Sequence, residues 1–182
     1  MLTLKNMSVN EELSEHAEHA REPFDRKVAV TMAIIAAALA IVSVLAHIVS
    51  TEELLAQQKA SDQWSYYQAK SIRRYESDIA RDMLKTLNGE AAAKGAEKYA
   101  ANVERYQKEG EEIQVEAKKL ETESRMHGQQ ALRLHIGEVF LEIGIVFASL
   151  AILTKRPIVW LTAIASAGAG LAIAATTALI KI

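Results

Sequence analysis

The residues best suited to chemistry are His135, Glu138 and Glu142. Spacings of three and four place them on one face of a helix. Both glutamates lie in an otherwise apolar run from Ile136 to Leu153. A charged side chain at a bilayer centre costs at least about 2.5 kcal/mol, so its presence there is a functional hypothesis. Two carboxylates one turn apart can titrate as a coupled pair with one pKa raised. Arranged about an axis by self-assembly, Glu138, Glu142 and His135 would form an acidic lining for cations or protons. In the plainer reading the span begins near Val139, with Glu138 among headgroups and Glu142 neutral or paired inside a bundle.

A second cluster runs from Glu11 to His19, where Glu12/His16 and Glu15/His19 are four-residue pairs. Imidazole and carboxylate suit zinc. The Glu-x-x-His repeat of dinuclear bundles is missing, however, and a solvated acidic face is the expectation. Pro23 is expected to end that helix. His47 and His127 read as packing residues. No cysteine is present, which removes thiolate metal sites, disulfides and a cysteine nucleophile. Gly168-Ala169-Gly170 sits inside an apolar run and reads as a packing site, not a phosphate loop. The expectation is therefore a protein that is not an enzyme, with no cofactor and no metal. A formal charge of −2 also argues against nucleic acid as a partner.

The elements that carry these residues follow from a split composition. The 182-residue chain is half apolar and 24% charged, but the two classes are segregated. Residues 28–49 contain no formal charge and reach about 33 Å at helical rise, enough for a hydrocarbon core of ~30 Å. Residues 136–153 and 158–180 form two further apolar runs, joined by Thr154-Lys155-Arg156-Pro157. The sequence therefore predicts an all-α protein with three transmembrane helices. An acidic segment with a short helix (1–27) precedes them. Arg21, Arg26, Lys27, Lys155 and Arg156 flank the spans on one side, which the positive-inside rule makes cytoplasmic.

Between the first and second spans, residues 50–135 are predicted to form a long helical hairpin, coiled-coil-like, projecting to the opposite side. From Thr51 to His135 there are 14 Lys/Arg and 15 Asp/Glu, with no proline. Asn88-Gly89 and Gly95 suggest a turn near 88–95. The second arm repeats at 3.5 residues from Tyr99 through Val103, Tyr106 and Gly110 to Leu134, the coiled-coil period. For the first arm the expected seam is Trp64, Gln68, Ile72, Tyr75, Ile79 and Met83. Such a seam is thin for an isolated helix pair, so a homo-oligomer, or docking on another membrane protein complex, is expected to complete it. Trp64, Tyr67, Tyr99, Tyr106, Gly168 and Gly170 are the candidate packing residues. Small residues at four-residue spacing (Ala33/Ala37, Ala36/Ala40, Ala163/Ala167) point the same way, or pack this chain's own spans together.

The stretch Gln57-Gln58-Lys59-Ala60-Ser61-Asp62-Gln63-Trp64-Ser65-Tyr66-Tyr67-Gln68-Ala69-Lys70-Ser71-Ile72 resembles the segment that marks a bacterial membrane-protein family. That family is the domain-of-unknown-function family numbered 4337, and the similarity extends over the whole chain. The resemblance implies a multi-pass protein of the bacterial inner membrane. It implies no activity and carries no catalytic or ligand residue across. Function must come from the residues themselves. A self-assembling scaffold presenting a hairpin stalk is the expected role, with ion or proton conduction through the acidic face as the alternative.

Overall fold

A computed structural model describes residues 23–179, and every regular element in them is helical. Helix α1 runs Pro23–Lys85, α2 Glu90–Thr154 and α3 Pro157–Ala175, followed by a short 3-10 turn, Thr176–Leu179. The Glu11–His19 run and Ile180 lie outside the described residues.

Local chemistry sets the boundaries. Pro23 opens α1, where a missing N–H costs nothing, and Asp25 in the first turn suits the helix dipole. After Lys85 the chain turns within four residues, with Gly89 at φ 125°, a conformation that L side chains avoid. The turn is shorter than the sequence reading of 88–95. Gly95 is already helical, and its missing side chain makes room for Leu84: a Cβ there would stand 2.9 Å from Leu84 Cδ1. The second turn is tighter still. Lys155 adopts φ 54° and Arg156 is extended, as a residue before proline prefers to be.

The described residues form two compact units, one from residues 23–48 with 129–179 and the other from residues 49–128. Small residues dominate the interior of the first. A Cβ at Gly137 would stand 2.8 Å from the Gly170 carbonyl, and one at Gly144 would stand 3.1 Å from the Ala163 carbonyl. Helices α2 and α3 therefore touch backbone to backbone. Val28, Ala148, Ala151 and Ala163 are fully enclosed, with Phe24 and Trp160 packed against them. Polar contacts clasp both ends: Lys155 pairs with Asp25, and Arg133 Nη1 donates to the Thr176 carbonyl at 3.1 Å. The exterior, by contrast, is greasy. Ile34, Ile41, Val44, Leu153 and Ile158 are 60–80% exposed. All three helices are long and apolar enough to cross a membrane.

In the second unit residues 49–85 and 90–128 run antiparallel. Leu84 meets Gly95, Lys70 meets Glu109, Tyr67 lies over Gly110, and Glu53 lies against Gly128. The seam expected on the 90–128 side is the observed one. Every position of the Tyr99-to-His127 series is buried or half-buried, and Ala117 is completely enclosed. The seam expected on α1 is not. Gln68, Ile72, Tyr75, Ile79 and Met83 face outward, the last four at 58%, 58%, 62% and 66% exposure. Positions seven apart, Ala56, Gln63, Lys70, Ser77 and Leu84, turn inward instead. The reason is fit. Aromatic rings on the opposite helix already fill the seam, and small or long flexible side chains are what the remaining space accepts.

Candidate functional site

His135, Glu138 and Glu142 sit on α2 within the first unit. His135 Nδ1 lies 3.2 Å from Glu138 Oε2, and the Glu138 carboxylate also takes a hydrogen bond from the Ser43 hydroxyl on α1. Glu138 is only 20% exposed, so this trio ties two helices together inside an apolar bundle. Glu142 does not join it. That side chain points outward, and no ion pair is formed to it among the described residues. The two carboxylates therefore do not share a site within one chain, although their spacing permits it. A bonded carboxylate beside a His can hold or relay a proton. An exposed one has no such partner among the described residues.

Among the described residues no group of three His, Asp or Glu could hold a metal ion. Histidine 127 lies on the inward face of its arm, with Nδ1 3.5 Å from Glu52 Oε2. That separation allows an ion pair once the ring is protonated, but it is not a hydrogen bond.

The packing residues divide between inward and outward roles. Trp64 and Tyr67 meet edge to face at 5.6 Å, and Tyr67 also covers Gly110. Tyr106 and Tyr66 flank the Lys70 ammonium at 5.5 and 5.2 Å. That ammonium bonds Glu109 Oε2 at 2.5 Å. The bond raises the Lys70 pKa from its ordinary value and lowers that of Glu109. Gly170 is buried against Gly137 and Phe140 of its own chain, which is the packing of the chain's own spans that the sequence also allowed. Gly168 lies open, with nothing within 4 Å of a Cβ built there.

Sequence reasoning missed Ser43, the Lys70–Glu109 pair and the partner glycines of α2. Gly137, Gly144 and Ala151 follow a seven-residue spacing that was there to be read. Ser43 and Lys70 gave no such signal, because a polar residue on a helix looks the same whether it faces water or a partner.

A family model described as Domain of unknown function (DUF4337) matches residues 24–180. The chain belongs to this family. The match covers all three helices of the DUF4337 chain, including both the acidic face of α2 and the paired arms. No curated protein and no solved structure matches it.

Proposed function

We propose that this chain is a non-enzymatic, multi-pass membrane protein that self-assembles and presents a helical-hairpin stalk as a scaffold. The observation that carries this reading is the outward apolar stripe of Ile72, Tyr75, Ile79 and Met83. These side chains stand on an otherwise charged stretch of α1, where no lipid would cover them. A soluble surface rarely keeps such a stripe uncovered, and a copy of the same helix supplies the cover. The greasy exterior of the first unit supports burial in a bilayer. On this reading the protein sits in a bacterial inner membrane, with the N-terminus cytoplasmic and the hairpin periplasmic.

The test is the mass of the detergent-extracted particle by light scattering. A mass of two or more chains is expected. A single-chain mass, with no cross-linked neighbour in membranes, rules the scaffold out.

A second reading has its own support. Glu142 is exposed on a helix that the bilayer would surround, and lipid is a poor neighbour for a carboxylate. Facing other copies across a wet axis, Glu142 would make the oligomer a conductor of cations or protons, with the His135–Glu138 pair next along the helix. Liposome flux should fall in Glu142→Gln while assembly persists. Flux equal to empty liposomes in the unmodified protein removes this reading.

A further inference from the structure

The scaffold role leaves one feature of the first unit unused. A cleft of about 540 Å³ opens beside the start of α1, lined by Pro23, Arg26, Lys27, Val30, Thr31 and Trp160. Its chemistry is divided. Arg26 and Lys27 supply two cations, whereas Pro23, Val30 and the indole supply apolar wall. Among the described residues neither cation has an ion-pair partner. Lys155, from the α2–α3 turn, is by contrast taken by Asp25. The indole is held firmly. Trp160 Nε1 donates to Thr31 Oγ1 at 3.2 Å, that hydroxyl donates to the Lys27 carbonyl at 2.9 Å, and Phe24 packs edge-on against the ring. The wall is therefore in place before anything binds.

Position adds a second argument. Arg26 and Lys27 are the last charges before the uncharged stretch of α1. In a bilayer the cations would sit at headgroup depth with Val30 just below, at the first acyl carbons. Basic pockets between helices at that depth hold anionic headgroups, and indole rings favour the same zone.

We propose that this cleft binds the phosphate headgroup of an anionic phospholipid. Arg26 and Lys27 engage the phosphate, the guanidinium by paired N–H bonds. Val30 and Trp160 lie against the glycerol and the upper acyl chain. The shared chemistry is a phosphate, but a free phosphate ion would leave the apolar wall unused, which favours the lipid. The assignment rests on the bilayer reading above.

The experiment uses the full chain with Trp64→Phe, which leaves Trp160 as its one tryptophan, in phosphatidylcholine nanodiscs. Brominated phosphatidylglycerol should quench Trp160 more strongly than brominated phosphatidylcholine at equal mole fraction. Neutralising each cation, as Arg26→Gln or Lys27→Gln, should lower that preference about fivefold. Arg156→Gln, a charge loss on the nearby turn, should leave it in place. Equal quenching by both lipids overturns the proposal. So does an equal loss in Arg156→Gln, which would mark diffuse surface charge, or displacement by inorganic phosphate at matched ionic strength, which would mark a soluble ligand. Should Trp64→Phe misfold, native mass spectrometry of the unsubstituted chain decides, by whether phosphatidylglycerol is retained over phosphatidylcholine. A chain that never enters the discs overturns the bilayer reading and the lipid site together. One that enters and shows no preference overturns only the site.

Discussion

The two arms of the second unit share a length scale and a period but solve opposite problems. On the α2 arm the inward stripe is the apolar one: Tyr99, Val103, Tyr106 and Ile113 all point toward the partner helix. On the α1 arm the inward stripe from Ala56 to Ser77 is small or polar, Leu84 closes it at the turn, and Ile72, Tyr75, Ile79 and Met83 face away. A hydrophobic period thus marks a face that wants cover, but it does not say which neighbour provides the cover. On α2 the neighbour is the same chain. On α1 the stripe has no cover among the described residues.

Substitutions can break that contrast. The largest effect should come from the α2 seam, where Ala117 has no exposed surface. Ala117→Phe overpacks it and should cost roughly 1–3 kcal/mol, seen as an earlier thermal transition by circular dichroism in detergent. On the outward stripe of α1 the unfolding transition should hardly move. Ile72→Ser with Ile79→Ser should instead weaken self-association by about tenfold per site, read from the concentration dependence of particle mass. An early melt with unchanged mass would mean that the stripe packs within the chain after all.

The smallest effect concerns the polar seam and depends on pH. Glu109 titrates below its ordinary value of 4.5 because the Lys70 ammonium bonds its carboxylate. A lowered folded value means that the stabilisation is complete above 4.5 and disappears as acid drives the pH through the lowered value. Lys70 is the mirror case: its raised pKa gives stabilisation that is complete below 10.5 and lost as the pH rises through the raised value. The melting temperature should therefore drop on acidification, and Glu109→Gln should flatten that drop. The double variant Lys70→Met with Glu109→Gln should melt close to the unsubstituted protein, since removing both charges leaves no unpaired ion behind. A steep acid drop that persists in Glu109→Gln would assign it to other carboxylates.

The helices and their apolar stretches were readable from composition alone, because twenty uncharged residues in a row have few other uses. The α2 seam was readable too, since its inward residues are the apolar ones. The α1 seam was not. Gln63, Lys70 and Ser77 repeat every seven residues, but nothing in their chemistry marks them as inward, and the apolar residues beside them carry the stronger periodic signal. The acidic face was half readable. Spacing placed His135, Glu138 and Glu142 on one helix, but the hydroxyl of Ser43 takes Glu138 inward and leaves Glu142 outside. That choice depends on a residue 95 positions away in the chain.

The close approach of Gly137 to Gly170 also bears on how the protein could be taken apart. Carbonyl oxygens there lie where side-chain carbons would otherwise stand, so the α2 surface has a slot shaped for one particular helix. A chain ending at Thr154 would display that slot empty, and a separate peptide covering residues 157–179 should fill it. The molecule is thus a natural subject for split-fragment complementation, with glycine at 137 and 170 acting as the key and lock.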